Sequence, residues 1–290
     1  MSQTLNELIT IGITAYNEGK YLQEAWDSVV NQNDNRWEAV MILDGGSDKE
    51  TTEIFNKIVH KSLTKIKLDS NHGPYDSRTI AIKNTKTEWY CQLDGDDLLP
   101  KNFTSLVLGT INNNPDADII YGDIQYLRGK KKAVTRYDST GYKLLPFLLY
   151  GHVPIKSSIF FELGGFEKKL AYGGADRDFL IRCAIHKKNF ICCIPGGILY
   201  IVRKRDNSVS SLRSGDIKKR KLIFDHLNRN YAKFYRDNDY YDEFIKKNVK
   251  PIFFNYFNHR NYIKLINYLF VFGSQSNFFL YKYFFRLISK

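Results

Sequence analysis

Short β-branched runs that end in polar loops, each followed by apolar residues three and four apart, repeat along the first part of the chain. Leu8 to Ala15 is the first such run; Tyr16-Asn17-Glu18-Gly19 closes it, and Leu22, Ala25, Trp26 and Val29-Val30 follow at helical spacing. The pattern recurs at Trp37 to Leu43, which leads into Asp44-Gly45-Gly46-Ser47-Asp48 and a helix carrying Ile54, Phe55, Ile58 and Val59. A strand over Lys65-Ile66-Lys67-Leu68 precedes a Gly-Pro loop and a helix near Ser77 to Lys83, and Glu88 to Gln92 then runs into Leu93-Asp94-Gly95-Asp96-Asp97. Strands alternating with helices predict an α/β architecture, a mostly parallel sheet with right-handed crossovers. Further on, Asp118 to Ile124 and Ser157 to Phe161 read as strands and Lys130-Lys131-Lys132 as a solvated hairpin tip. After Tyr172-Gly173-Gly174 a helix begins at Ala175-Asp176-Arg177-Asp178, with acids in the first turn where the helix dipole favours them.

Ligands of such sheets bind outside the carboxyl ends of the strands. Tyr16-Asn17-Glu18, Asp44-Gly45-Gly46-Ser47 and Asp94-Gly95-Asp96 all fall at that edge. Asp94, Asp96 and Asp97 crowd three carboxylates into four residues, which repel one another unless a cation sits among them. The chemistry expected is a hard divalent ion holding a phosphate-bearing ligand. The competing reading is an Asp-Gly turn, with Asp96 or Asp97 capping the helix that Pro100 opens. Convergence of three polar loops on one edge favours a site.

Composition narrows the class. At 290 residues and 43% hydrophobic content, the chain has room for one large α/β domain with an extension or two modest domains. Cys91, Cys183, Cys192 and Cys193 have no metal-ligand spacing and are expected to be reduced, buried thiols. Met1 to Glu7 lacks the charged and apolar blocks of a signal peptide. The net charge of +12 is uneven: residues 213–290 hold 16 Lys and Arg against 6 Asp and Glu, leaving the first 212 residues close to neutral. An acidic partner of that basic tail is expected, a membrane surface or nucleic acid.

Ile13-Thr14-Ala15-Tyr16-Asn17-Glu18, Ser28-Val29-Val30-Asn31-Gln32, Ile42-Leu43-Asp44-Gly45-Gly46-Ser47 and Gln92-Leu93-Asp94-Gly95-Asp96-Asp97, in that order and spacing, resemble glycosyltransferase family 2. Gly164-Gly165-Phe166-Glu167 with Ala175-Asp176-Arg177-Asp178 extends the likeness to about residue 210. The resemblance implies a GT-A fold: a Rossmann-like nucleotide-sugar half over about 1–125, an acceptor half over 126–212 and a helical extension over 213–290. It also implies inverting transfer from a nucleotide-diphosphate sugar, here a UDP-sugar, to a hydroxyl of a glycan or lipid-linked acceptor in cell-surface polysaccharide synthesis. By the same resemblance Ala15, Tyr16, Glu18 and Asp44 contact the base and ribose, Arg78 faces the nucleotide and diphosphate, and Asp94 with Gly95 adjoins the ribose and diphosphate. Asp96 and Asp94 hold Mn2+ or Mg2+, and Asp176 matches the catalytic base. The sequence departs from the family in two places, with Thr79 where an Asn is usual and Arg205 where many members carry a metal-binding His.

Inverting transfer needs a base opposite the leaving group, because an acceptor hydroxyl is a poor nucleophile, and positive charge on the departing diphosphate. Asp176, in a glycine-flanked loop at a helix start, suits the first task; Asp178 is the fallback and reads more simply as a structural first-turn acid. Arg205 cannot bind a cation but can neutralise diphosphate directly. His152 reads as a structural or acceptor-side histidine. Residues 251–290 contain 14 Phe or Tyr, and polar residues interrupt their longest uncharged run, Leu265 to Tyr281, which argues against a transmembrane helix. Either the tail lies on a bilayer surface or it packs as an appendage on the core or another subunit. Nucleic acid is not the expected partner, since no recognised binding motif accompanies the charge. The expected location is cytoplasmic, peripheral on the inner face of the plasma membrane. Two other functions compete: a sugar nucleotidyltransferase, for which Tyr16-Asn17-Glu18-Gly19 is a poor phosphate cradle, and a non-catalytic sugar-binding subunit.

Overall fold

A computed structural model describes residues 8–129, 131–137, 153–171, 173–193, 197–204 and 217–244. His152, Tyr172, Arg205 and the aromatic tail over 251–290 lie outside the described residues. The chain divides into two compact units, Met1–Ser208 and Val209–Lys290.

The first unit begins with three strand-helix repeats and a fourth strand: β1 (Ile9–Ala15), α1 (Tyr21–Val30), β2 (Trp37–Leu43), α2 (Lys49–Lys57), β3 (Leu63–Lys67), α3 (Pro74–Lys83) and β4 (Trp89–Asp94). β1 is buried along its whole length, and β2 and β4 at all but Glu38 and Asp94, so they read as near-continuous apolar runs where a half-exposed strand would alternate. Leu22, Ala25, Trp26 and Val29 form the buried stripe of α1, as their spacing predicts. α3 starts at Pro74, three residues earlier than the sequence suggests: Gly73, with φ of +80°, turns the chain and Pro74 occupies the first helical position.

α4 (Phe103–Asn113), β5 (Ile119–Tyr121), β6 (Asp123–Arg128), β7 (Lys131–Thr135), β8 (Ile155–Lys156), α5 (Ser157–Glu162), α6 (Ala175–Ile185), β9 (Phe190–Cys192) and β10 (Ile198–Arg203) complete this unit. Seven strands form one sheet in the order β3-β2-β1-β4-β8-β5-β9; β8 is antiparallel to both neighbours and the other pairings are parallel. A second sheet, β10-β6-β7, includes the solvated hairpin of β6 and β7.

Two expectations change. Asp118 to Ile124 is two strands in different sheets, parted at Gly122, where a Cβ would lie 2.9 Å from Leu199 and 3.0 Å from the Gly197 carbonyl. Ser157 to Phe161 is helical, because Ile159 and Phe160 fold inward and Phe160 packs edge-on to Phe166, with ring centroids 5.0 Å apart. A short apolar run cannot by its periodicity alone distinguish helix from strand.

In the second unit, α7 (Ile217–Asp237) carries Phe224, Leu227, Tyr231 and Tyr235 as its buried stripe, with Tyr235 stacked on Phe244 at 4.3 Å. Among the described residues no helix is long and apolar enough to cross a membrane.

Candidate functional site

The register of the sheet aligns the three polar loops. Ala15 lies opposite Leu43 and Thr14 opposite Asp94, so β1, β2 and β4 release their loops side by side. Backbone bonds lock this edge: Asp44 N–H donates to the Ala15 carbonyl at 3.0 Å and Gly95 N–H to the Thr14 carbonyl at 2.9 Å. A Cβ on Gly95 would meet that Thr14 carbonyl at 2.9 Å and Glu18 Cγ at 3.2 Å, so the approach of β4's loop to β1 needs a glycine. Ala15 is buried beneath the edge and Tyr16 is exposed at it. Asn17, with φ of +60°, accepts the Asp48 N–H at 2.7 Å and ties the first loop to the second.

Asp44 is 4% exposed, yet its carboxylate is well satisfied. It accepts N–H bonds from Gly45 at 3.0 Å, His72 at 2.8 Å and Gly73 at 2.9 Å. These bonds hold the loop that starts α3, and α3 in turn delivers Tyr75 and Arg78 to the edge.

Arg78 and Asp94 meet here. Arg78 Nη2 donates to both Asp94 oxygens, at 2.6 and 2.8 Å, from a side chain only 11% exposed. Burial opposes the charge on Arg78, but Asp94, Tyr75 and Asp176 outweigh it and hold the guanidinium firmly protonated. Tyr75 lies below, its ring centroid 5.4 Å from Arg78 Cζ, and its hydroxyl donates to Asp176 Oδ1 at 3.3 Å. Asp176, in the first turn of α6, is thereby linked through Tyr75 and Arg78 to the β4 aspartate although the two lie far apart in the chain. Gly174, with φ of +84°, makes the turn that starts this helix, and Arg177 N–H also donates to Asp176 Oδ1, at 2.8 Å.

Asp178 points the other way. It is 1% exposed and paired with Arg182 at 2.9 Å, whose guanidinium also donates to the Leu163 and Gly165 carbonyls. It braces the Gly164-Gly165 turn, the structural role open to it from the sequence.

Asp97 neither caps a helix nor faces the edge. α4 begins at Phe103 after Asn102, and Asp97 is buried, accepting the Arg203 N–H at 2.7 Å. Tyr200 Oη accepts the Asp94 N–H at 2.9 Å and donates to Asp97. Burial first, then the charges of Asp96 and Asp94, push the Asp97 carboxyl well above the usual carboxylate range. Within the protein Arg78 faces Asp94, and the Arg203 N–H and the Tyr200 hydroxyl face Asp97, so the three carboxylates have different surroundings.

Asp96, like Asp94, is partly exposed, and Arg203 Nε donates to its carbonyl at 3.0 Å. Among the described residues no three His, Cys, Asp or Glu converge as a ready-made metal site. Asp96 and Asp94 are nonetheless hard oxygen donors at one edge, a set that suits Mg2+ or Mn2+ when ligand oxygens and water fill the remaining positions. Arg205, which replaces the usual histidine, lies outside the described residues.

Arg203 and Tyr75 are the residues that sequence reasoning missed. Arg203 ends β10, donates to Glu24 Oε2 at 2.6 Å and lies 4.7 Å from the Tyr21 ring centroid. Nothing local separates it from Lys204 and Arg205. Tyr75, three residues before Arg78 on one helix, could have been found from that spacing. A cavity of about 560 Å3 lined by Leu8, Trp37, His60 and Leu63 lies at the opposite, amino edge of the sheet, remote from these loops.

Known proteins resemble the chain in sequence and in fold. An uncharacterized glycosyltransferase of Methanocaldococcus jannaschii is 27% identical over 227 residues, 74% of this chain and 76% of the relative. A teichoic acid poly(glycerol phosphate) polymerase of Staphylococcus epidermidis is 29% identical over 107 residues, 36% of this chain, which spans only 15% of that protein. Among solved structures, S. aureus TarS 1–349 in complex with UDP-GlcNAc superposes with a TM-score of 0.63 at 15% identity, covering 93% of each chain. The mannosyltransferase PcManGT of Pyrobaculum calidifontis, in complex with GDP-Man and Mn2+, gives 0.56 at 17% identity, over 80% of this chain and 65% of that one. The fold is therefore GT-A. The sequence profile of Glycosyl transferase family 2 matches residues 10–168, the segment that builds the three-loop edge, and the chain belongs to that family.

Proposed function

We propose that this chain is an inverting glycosyltransferase that moves a sugar from a UDP-sugar to a hydroxyl of a glycan or lipid-linked acceptor in cell-surface polysaccharide synthesis. The observation that carries the reading is the chain of contacts Asp176, Tyr75, Arg78, Asp94, which joins a carboxylate on α6 to the carboxyl edge of β4. Ala15, Tyr16, Glu18 and Asp44 form the base and ribose side, Asp44 chiefly by fixing the loop beneath. Asp94 and Gly95 adjoin the diphosphate, with Arg78 supplying positive charge behind them. Asp176 takes the proton of the acceptor hydroxyl as that oxygen attacks the anomeric carbon and the bond to the diphosphate breaks. A positioned base of this kind contributes roughly 10²- to 10⁴-fold. Asp96, with Asp94, would hold Mn2+ or Mg2+, which when bound neutralises diphosphate charge. The catalytic part occupies about residues 1–212, with the acceptor half from about 126. The basic segment over 213–290 suits an anionic bilayer, consistent with a peripheral place on the inner face of the plasma membrane.

Because one structural neighbour carries UDP-GlcNAc and another GDP-Man, both nucleotides belong in the test. The purified chain is assayed for release of nucleoside diphosphate from a panel of UDP- and GDP-sugars with MnCl2 or MgCl2. Release from a UDP-sugar that is lost in Asp176→Asn is expected; no binding and no turnover of any donor would sink the proposal.

A further inference from the structure

The contact chain that joins the two sides of the site passes through one side chain. Tyr75 sits in the first turn of α3, and Arg78 follows one turn later on the same face. Its ring supports the Arg78 guanidinium at 5.4 Å and packs on Phe166 at 5.1 Å, while its hydroxyl donates to Asp176 at 3.3 Å. The ring is buried between these partners, 7% exposed. Arg78 Nε is buried with no hydrogen-bond partner, so the guanidinium is oriented by Asp94 at one end and by the aromatic face beneath it. Asp176 depends on the same side chain: besides the Arg177 N–H, the Tyr75 hydroxyl is the group that aims its carboxylate.

We propose that Tyr75 is a positioning residue that sets both sides of the reaction, with its hydroxyl aiming Asp176 and its ring holding Arg78 against Asp94. The inference rests on the reading of Asp176 as base and Arg78 as a diphosphate-side cation. The two functions of Tyr75 are separable by chemistry. Tyr75→Phe keeps the ring over Arg78 and against Phe166 and removes only the hydroxyl. Tyr75→Leu keeps apolar volume and removes the aromatic face as well.

Steady-state transfer from the preferred sugar nucleotide and hydrogen exchange of the unliganded full chain test it together. In Tyr75→Phe, kcat is expected to fall about tenfold, a part of what a positioned base supplies, with donor KM within about twofold of wild type. Exchange over residues 175–178 should rise severalfold while the melting temperature stays close to wild type. In Tyr75→Leu donor KM should rise as well, because Arg78 loses its support. Unchanged exchange at 175–178 in Tyr75→Phe, or a kcat equal to wild type, overturns the proposal, as does a Tyr75→Phe change confined to donor KM. Exchange that rises as expected in a wild-type background that turns over no sugar nucleotide would leave the positioning of Asp176 by Tyr75 standing and remove the glycosyl-transfer reading.

Discussion

At the scale of single residues, two aspartates two positions apart have different surroundings and should fail differently. Asp176 bonds to Tyr75 at the edge of the sheet, whereas Asp178 is enclosed and paired with Arg182. Asp176→Asn should lower turnover by about 10²-fold or more and leave nucleotide affinity intact, as read by kcat and by titration with UDP. Asp178→Asn should instead cost about 3 kcal/mol in urea unfolding, since it strands the Arg182 charge beside the Gly164-Gly165 turn. A pH prediction belongs to Cys183. Burial, slightly offset by Arg182 and Lys188, pushes this thiol up to about 12, above the value near 8.5 of a free thiol. A group whose folded value is raised contributes stability that is complete below the unfolded value and is lost as pH rises towards the folded one. Cys183 should therefore contribute a decline in unfolding free energy of up to about 1.4 kcal/mol per unit between about pH 9 and 12, beside that of other buried groups such as Cys91, and Cys183→Ala should flatten the slope by about one proton.

At the scale of elements, the loops that follow β1, β2 and β4 are held by backbone contacts that only glycine permits, and by an arginine from β10. A Cβ on Gly45 would stand 2.3 to 2.5 Å from the backbone of Ser70, and no side-chain movement can relieve a clash with main chain. Gly45→Ala should cost about 2 kcal/mol or more and displace the loop that carries His72 and Gly73, seen as a lower urea midpoint with an unchanged slope. The Arg203 guanidinium donates to the Asp96 carbonyl in the β4 turn and to Glu24 on α1, while its backbone N–H donates to the Asp97 carboxyl. Arg203→Ala should weaken affinity for UDP with Mn2+ several-fold in calorimetry, because the Asp96 carbonyl loses its guanidinium donor while the backbone bonds of the turn to β10 remain. Arg203→Lys should restore little, as one ammonium cannot span partners that a planar guanidinium reaches together.

At the scale of the whole molecule, charge separates the chain into two regions. Ten of its twelve net positive charges lie in residues 213–290, the region that also holds the aromatic tail. The full chain should sediment with vesicles containing phosphatidylserine, fail to do so with neutral vesicles, and be released as salt rises, since screening at high ionic strength shortens the reach of those charges. Failure to sediment with either kind of vesicle would favour the appendage reading of the tail.

Much of the first unit was legible from the chain alone. β1, β2 and β4, α1, α2 short of Ile58 and Val59, which lie past its end at Lys57, and the edge at which Asp44 and Asp94 end their strands follow from periodicity, glycine placement and strand-helix alternation, all set by local sterics over a few residues. Where one short apolar run fits two periods, as at Ile159 and Phe160, the aromatic packing with Phe166 decided for helix. Partners far apart in sequence were beyond local rules: Tyr75 and Asp176 are separated by 101 residues, and Asp97 and the Arg203 amide by 106. Sequence by itself determined that the Asp94, Asp96 and Asp97 carboxylates crowd one strand end. Only the tertiary structure decided how that crowding is arranged, because the burial of Asp97 against Arg203 and Tyr200 and the Arg78 partner of Asp94 depend on which strands and helices the sheet order brings together, and on the water this excludes.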